Sequence, residues 1–173
     1  MHMKIRKATA IDAKGIAKVQ VDTWRSTYKN IVSDEYLAQL SYDAREEMWQ
    51  KIIPINSVYV AENDQGEIIG FSCGGKKNSE EYPKYKSELF AIYILQDYQR
   101  EGIGRLLVKP IVEDLIDEEI YSMIVYVFED NPATKFYESL GGKKIDHLDT
   151  EFSTEEKKVY ELVYGWDDIR QIF

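Results

Sequence analysis

The chain has 173 residues, of which 44% are hydrophobic and 31% charged, and this composition is typical of a folded globular protein. The length predicts a single domain that spans residues 1–173. Asp and Glu number 31 against 22 Lys and Arg, which gives a formal net charge of −9. Such a charge disfavours nucleic acid as a partner and favours cationic molecules; the alternative is that it only keeps the protein soluble.

The sequence also limits the location and the metal chemistry that we expect. No run approaches the ~18 apolar residues of a membrane helix, and no signal-peptide pattern is present, so we expect a cytoplasmic protein without a membrane partner. Cys73 is the only cysteine, which excludes an intrachain disulfide and favours a small buried hydrophobic residue over a nucleophile. His2 and His147 lack metal-ligand neighbours, so no metal is expected.

The first half of the chain predicts one strand, three helices and a two-stranded hairpin. Thr9 and Ser33 are good helix N-caps, and Pro54 ends the third helix. The turn at 63–66 contains Asn and Gly, which favour hairpins. In chain order the predicted elements are a strand at 3–8, helices at 11–23, 33–40 and 42–53, and strands at 57–62 and 67–75.

The second half predicts alternating strands and helices after a polar loop at 76–86. These elements are a strand at 87–95, a helix at 102–119, a strand at 121–128, a helix at 132–140 and strands at 143–148 and 158–164. The spacing of apolar residues in the first of these helices predicts an inward face made of Ile103, Leu106, Leu107, Ile111 and Leu115. Pro110 interrupts the helix and predicts a kink, because proline removes a helical hydrogen bond.

The most informative stretch joins the strand at 87–95 to the following helix. Its pattern is Gln99-x-x-Gly102-x-Gly104. Unpaired N–H groups and the positive end of a helix dipole at such a start favour a phosphate group. The pattern lacks the third glycine of a dinucleotide fingerprint and the Gly-Lys-Ser/Thr of a Walker loop. A tight strand-to-helix turn without a ligand is the alternative interpretation.

A second pattern follows the strand at 121–128 and predicts a short helix. Asn131 is a good N-cap, Pro132 suits the first helical position, and Gly141 suits a left-handed C-cap. The predicted inward face of this helix consists of Ala133, Phe136, Tyr137 and Leu140.

The two patterns, in this order and at this spacing, resemble the GNAT superfamily of N-acetyltransferases. The matching residues are Gln99, Gly102 and Gly104, then Asn131, Ala133, Phe136, Tyr137, Glu138 and Gly141. The resemblance is strongest over residues 88–142. It implies an α/β (α+β) fold, with a mixed, mostly antiparallel twisted sheet that splays between strands 4 and 5 and is flanked by helices. Acetyl-CoA would lie in the resulting gap and donate its acetyl group directly to a primary amine.

The resemblance assigns cofactor contacts residue by residue. Backbone groups of Ile92, Tyr93 and Ile94 are expected to pair with the pantetheine arm like an added strand. The pyrophosphate is expected at the backbone amides of Gln99, Arg100, Glu101, Gly102, Ile103 and Gly104, with Arg105 just beyond. Side chains at the two glycines would obstruct the phosphate. Asn131 is expected at the pantetheine or thioester end, with a plain helix cap as the alternative.

Two catalytic residues follow from the same resemblance. Tyr137 is the expected general acid for the leaving thiolate, with a core tyrosine as the alternative. Glu88 is the candidate general base, because alternation places it with Phe90, Ile92 and Ile94, and apolar neighbours raise the pKa of a carboxylate. A solvated carboxylate, with a water chain as the base, is the alternative.

The residues that would bind the acetyl acceptor are aromatic. Trp24, Tyr28 and Tyr36 are candidate walls of the substrate pocket, since aromatic faces attract amine cations; packing between helices is the alternative. A polyamine, an aminoglycoside or a peptide amine would suit the acidic chain. A non-catalytic acyl-CoA-binding module is the rival function, and a homodimer stays open. Gly142 departs from the family, which usually has an aromatic residue there.

Overall fold

The structure, a computed structural model, describes residues 3–173, and Met1 and His2 lie outside the described residues. Within this range the chain forms seven strands and five α-helices. The strands are β1 (Lys4–Lys7), β2 (Ser57–Glu62), β3 (Ile68–Lys76), β4 (Ser87–Ile94), β5 (Met123–Phe128), β6 (Lys143–Asp149) and β7 (Tyr160–Trp166). The helices are α1 (Ala13–Thr27), α2 (Asp34–Ala38), α3 (Tyr42–Ile52), α4 (Ile103–Asp117) and α5 (Ala133–Ser139).

The strands make one sheet in the order β1-β2-β3-β4-β5-β7-β6. All neighbours are antiparallel except β4 and β5, which are parallel. Helix α4 packs against β2, β3 and β4, whereas α1 packs against α3, β3 and β4. The predicted mixed, mostly antiparallel sheet with flanking helices is therefore confirmed. Across residues 3–173, none of the helices combines the length and the apolar character that crossing a bilayer requires.

Strand β4 carries a β-bulge in its middle. Cys73 of β3 lies opposite Ala91, but the next residue of β3, Gly74, lies opposite Leu89. Phe90 is thus an extra residue on β4, and such an insertion interrupts the alternation of side chains between the two faces.

Because of this bulge, Glu88 faces a different side of the sheet from Ile92 and Ile94. Phe90 and Tyr93 pack on the side of α1 and α3, whereas Ile92 and Ile94 pack on the side of α4. The next residue, Leu89, packs against α4. Glu88 therefore points to the α1 side, as Phe90 does. The prediction that Glu88 shares a face with Ile92 and Ile94 is wrong, because alternation does not persist through a bulge.

Helix α1 is longer than predicted. It continues through Trp24 to Thr27, and Tyr28 follows as its C-cap. The helix end that the sequence places at residue 23 is four residues too early, since neither glycine nor proline interrupts the segment. Thr23, where the prediction ended, is buried and its hydroxyl donates to the carbonyl of Val19 at 2.7 Å, so its polar group is satisfied within the helix.

One residue of the predicted inward face of α4 is not buried. Leu106 is 47% exposed, whereas the other four residues of the predicted face, Ile103, Leu107, Ile111 and Leu115, are buried. Pro110 lies inside one uninterrupted helix. The hydrogen bond that it removes would have involved the carbonyl of Leu106. Because Leu106 is exposed, water can satisfy that carbonyl, which explains why the proline is tolerated.

Candidate active site

Strands β4 and β5 separate soon after they meet, and this point is called the fork below. Their pairing covers only Ser87 with Met123 and Glu88 with Ile124. Beyond Glu88, within residues 3–173, the edge of β4 toward β5 has no strand neighbour. Unpaired strand edges carry free N–H and C=O groups and accept an extended molecule as an added strand. The fork therefore offers the kind of gap that the sequence predicts.

The start of α4 lies next in the chain after β4 and presents free amides. Gly102 is the N-cap with φ of 80°, and Arg100 also has a positive φ of 66°. Within the described residues, none of the backbone N–H groups from Arg100 to Arg105 donates a hydrogen bond. With the helix dipole, these amides form a receptacle for a phosphate-type anion.

Gln99 has a different part in this loop. Its backbone N–H donates to the carbonyl of Gln96 at 3.2 Å, and its side-chain amide donates to the carbonyl of Ile94 at 2.9 Å. The side chain thus fixes the loop to the end of β4. The amides left for an anion begin at Arg100.

The glycines and arginines of the loop are held by different contacts. Gly102 needs its left-handed backbone, and nothing lies within 4 Å of where a Cβ would be. At Gly104 a Cβ would lie 3.0 Å from ring carbons of Phe136, so close packing against α5 also favours glycine there. The Arg105 guanidinium lies over the Phe173 ring, 5.3 Å from its centroid, and Arg100 is exposed.

Helix α5 places Tyr137 beside the fork. The side chain is 4% exposed, and its hydroxyl makes no hydrogen bond to a residue of the described chain. Burial and the nearby Tyr93 hydroxyl raise the pKa of the Tyr137 phenol above its ordinary value. A phenol that stays protonated at neutral pH can act as a proton donor.

Asn131 lies two residues before α5 and connects the start of that helix to the end of α1. Its Oδ1 accepts the N–H of Ala133, the first residue of α5, at 2.9 Å, and its Nδ2 donates to the Tyr28 hydroxyl at 3.3 Å. The N-cap is Pro132, one residue later than predicted, but Asn131 still satisfies a free N–H at the helix start. At the other end of α5, a Cβ on Gly142 would lie 2.8 Å from the Trp166 ring. Trp166 fills the space beside the position where the family usually has an aromatic residue.

Glu88 lies at the fork on the α1 side and is half-buried. Burial raises the pKa of its carboxyl from 4.5 to about 7, and the charges of Glu161 and Glu81 add to this while Lys77 opposes it. Among the described residues it makes neither an ion pair nor a hydrogen bond. A carboxylate that titrates near neutrality is suited to general-base chemistry.

A second carboxylate that was missed from the sequence lies in the same region. Glu161 of β7 is half-buried, pairs in register with Phe128 of β5, and has a pKa raised by burial. Its charge also acts on Glu88 and Tyr93. The only signal in the sequence is one acidic residue inside an otherwise apolar strand. On β5, Tyr126 donates its hydroxyl to Glu81 at 3.2 Å.

The aromatic residues predicted for the substrate pocket form one cluster on the α1 side. Trp24 and Tyr28 meet with ring centroids 4.6 Å apart, and Tyr28 lies 5.0 Å from Phe128. Tyr36 packs against Phe152 at 4.9 Å. Tyr28 is buried, whereas Trp24 and Tyr36 keep part of their surface exposed. The cluster thus lies beside the fork with two of its rings accessible.

Two shallow cavities flank this cluster. One, of about 340 Å³, is lined by Tyr36 and Met48, and the other, of about 360 Å³, is lined by Met48, Cys73 and Tyr93. Because Met48 lines both, they are neighbours along α3. Burial, followed by the charge of Glu88, raises the pKa of the Cys73 thiol to about 12. The protonated thiol is consistent with a buried apolar residue and not with a nucleophile.

Comparisons with known proteins now decide the family. The model of the Acetyltransferase (GNAT) family matches residues 20–142. The uncharacterized N-acetyltransferase YuaI of Bacillus subtilis (strain 168) is 36% identical over 165 residues, which cover 95% of this chain and 93% of that protein. The chain belongs to the GNAT acetyltransferase family. The predicted family and the predicted enzyme class, an acetyl-CoA-dependent N-acetyltransferase, are thereby confirmed.

Further GNAT proteins are similar over nearly the whole chain. A spermidine N(1)-acetyltransferase of Thermoplasma acidophilum is 24% identical over 91% of this chain and 98% of its own. The crystal structure of the PaiA N-acetyltransferase from Thermoplasma acidophilum in complex with coenzyme A has a TM-score of 0.74 and 22% identity, and covers 93% of this chain and 98% of that one. This structural likeness shows the GNAT fold.

Proposed function

We propose that this GNAT protein transfers an acetyl group from acetyl-CoA directly to a primary amine of a small cationic acceptor, with residues 1–173 acting as one catalytic domain. The observation that carries the proposal is the arrangement at the fork. Glu88, with its raised pKa, lies where β4 and β5 part, and the buried Tyr137 belongs to the same core cluster as Leu89 and Met123, which lie at that point.

Acetyl-CoA would occupy the fork and the start of α4. The amides from Arg100 to Arg105 would bind the pyrophosphate, and the open edge of β4 at Ile92 to Ile94 would pair with the pantetheine arm. Asn131 would contact the thioester end through the second hydrogen of its Nδ2. The free amides and the unpaired edge support this placement, because each needs a partner that the described chain does not supply.

The chemistry would be divided between the two catalytic residues. An alkylammonium with a pKa near ~10.4 must lose a proton before it can attack. Glu88 would accept that proton, directly or through water, and its pKa of about 7 suits exchange near neutral pH. Tyr137 would protonate the leaving thiolate, which its raised pKa allows because the phenol is neutral before transfer.

The charges around Glu88 favour an acceptor with more than one positive group. Glu88 and Glu161 are both half-buried, and each lacks an ion-pair partner in residues 3–173. Half-buried carboxylates without partners are stabilised by a cation. Trp24 and Tyr36 add accessible aromatic surface. A diamine or polyamine would place one nitrogen at Glu88 and another toward Glu161, and the similarity to a spermidine acetyltransferase supports this class.

The test is a screen for coenzyme A release with acetyl-CoA and four acceptor classes: polyamines, aminoglycosides, amino acids and peptides. We expect turnover with polyamines, and Glu161→Gln should raise their KM while leaving the KM of a monoamine of similar length unchanged. Binding of acetyl-CoA without thiol release across the whole panel would instead favour a non-catalytic acyl-CoA-binding module. Equal binding of adenine nucleotides that lack the pantetheine arm would contradict the placement of the cofactor.

A further inference from the structure

A group of hydrogen-bond donors lies on the α1 side of the fork. The Trp24 indole N–H donates to the Tyr93 hydroxyl at 3.2 Å. The Asn131 side-chain amide donates to the Tyr28 hydroxyl at 3.3 Å. Two hydrogen bonds thus join α1 to β4 and the end of α1 to the turn before α5, the first at the Tyr93 hydroxyl and the second at the Tyr28 hydroxyl.

Counting donors and acceptors in this group leaves the Tyr93 hydroxyl hydrogen unused. An indole N–H can only donate, so the Tyr93 oxygen accepts from Trp24. The orientation of the Asn131 amide is fixed because its Oδ1 accepts the N–H of Ala133, so its Nδ2 must donate to Tyr28. Because Trp24 occupies one lone pair of the Tyr93 oxygen, the O–H of Tyr93 points away from the indole.

The Tyr93 side chain accepts a hydrogen bond from Trp24 and donates to no residue of the described chain. Tyr93 is partly exposed and lines the cavity of about 360 Å³, and its ring is held by packing against Phe71, with centroids 5.6 Å apart. A ligand or solvent must therefore supply the acceptor for its O–H.

Tyr137, across the fork from Tyr93, indicates which ligand atom accepts this hydrogen bond. Tyr93 lies on the part of β4 beyond Glu88, whose edge toward β5 has no strand neighbour within residues 3–173, and its hydroxyl contributes to the raised pKa of the Tyr137 phenol. In the proposed function Tyr137 faces the sulfur of the thioester. The sulfur and the carbonyl oxygen of a thioester are bonded to the same carbon, so a second donor near Tyr137 is well placed for the oxygen.

We propose that the Tyr93 hydroxyl, oriented by Trp24, donates a hydrogen bond to the acetyl carbonyl oxygen as that oxygen gains negative charge. The inference rests on the proposed function and deepens it: Tyr93 serves the oxygen and Tyr137 the sulfur of one thioester. The indole N–H that holds Tyr93 also polarises its O–H, which strengthens the bond that it donates.

The bonds and protons of the transfer balance. Glu88 takes one proton from the alkylammonium and passes it to solvent before the attack. The amine nitrogen then forms a bond to the acetyl carbon, and the C=O π electrons move to the oxygen, which Tyr93 stabilises without giving up its proton. The oxygen restores the C=O bond as the C–S bond breaks, and the thiolate takes the proton of Tyr137. The second proton, released from the nitrogen, goes to Glu88, and its return through solvent regenerates the phenol.

The first test is Tyr93→Phe, which keeps the ring and removes only the hydroxyl. We expect kcat to fall about 10²-fold, in line with the loss of one oxyanion donor, and the KM for acetyl-CoA to stay within about twofold. The matched control is Tyr59→Phe, which removes a hydroxyl bonded to Asp114 at 2.7 Å, away from the fork. The control should keep the wild-type kcat, and an unchanged kcat in Tyr93→Phe would overturn the inference.

The second test is infrared difference spectroscopy of bound acetyl-CoA with a ¹³C carbonyl. Hydrogen bonding lowers the carbonyl stretching frequency, so Tyr93→Phe should raise it relative to wild type. An unchanged frequency with a raised acceptor KM would place the hydroxyl on the acceptor and overturn the inference. Should Tyr93→Phe fail to fold, Trp24→Phe removes the orienting donor and should raise the frequency by a smaller amount. An inactive wild type would refute the proposed function instead.

Discussion

Replacing Glu88 with Gln should stabilise the protein while it removes the proposed base. The pKa of Glu88 rises from 4.5 to about 7 on folding, mainly through burial. At about 1.36 kcal/mol for each pKa unit, this equals about 3.4 kcal/mol. Because the side chain is only half-buried and solvent screens part of the effect, we expect about 2 kcal/mol.

The sign of the effect follows from proton binding. Between pH 4.5 and about 7 the folded state holds the Glu88 proton more tightly than the unfolded state. The free energy of unfolding of the wild type therefore falls as the pH rises through this range. Glu88→Gln has no proton to lose, so its advantage over wild type should grow from near zero at about pH 4.5 to its full value above pH 7.

Urea denaturation of both proteins from pH 4.5 to 8.5 measures this difference, and the pH–rate profile measures the activity. The rise in rate through pH 7 should disappear in Glu88→Gln. Exposed Glu155 provides the control, since Glu155→Gln should change neither stability nor rate with pH. A stability gain that is the same at every pH would show that the Glu88 carboxylate is not destabilised by burial, and the reasoning would fail.

Three further substitutions test other parts of the site. Tyr137→Phe should lower kcat about 10²-fold with unchanged coenzyme A affinity by calorimetry; wild-type kcat would exclude it as the acid. Gly102→Ala should lower the free energy of unfolding by about 1 kcal/mol, because φ is 80° there, and weaken coenzyme binding; unchanged affinity would contradict the anion site. Gly142→Ala should destabilise by about 1–3 kcal/mol, since its Cβ would lie 2.9 Å from the Tyr137 carbonyl oxygen; unaltered urea denaturation would refute that contact.

Local signals in the sequence predicted much of the fold. The caps and turn residues placed the helices and strands, because Ser33, Asn131 and Gly141 each satisfy a backbone requirement that depends on neighbours in sequence. Helix α1 shows the limit of such signals. Its end was misplaced because the chain from Trp24 to Thr27 is held by packing with distant residues, including Tyr93.

The site was harder to predict wherever it depends on pairing between strands. The bulge at Phe90 is set by the register of β3 and β4, and no residue type in the sequence indicates it. The predicted face of Glu88 relative to Ile92 was therefore wrong. Glu161 was missed for the same reason: β7 comes next to β5 only in the folded sheet. The Tyr93 hydroxyl acquires its hydrogen-bond donor, Trp24, from α1, which is about seventy residues away in the sequence.

The most direct test of the account is a crystal structure of the protein with coenzyme A bound. We expect both pyrophosphate phosphorus atoms over the amides from Arg100 to Arg105. We expect the pantetheine arm along the open edge of β4, with its sulfur near the Tyr137 hydroxyl. A pyrophosphate bound elsewhere, or a sulfur on the far side of the sheet from Tyr137, would contradict it.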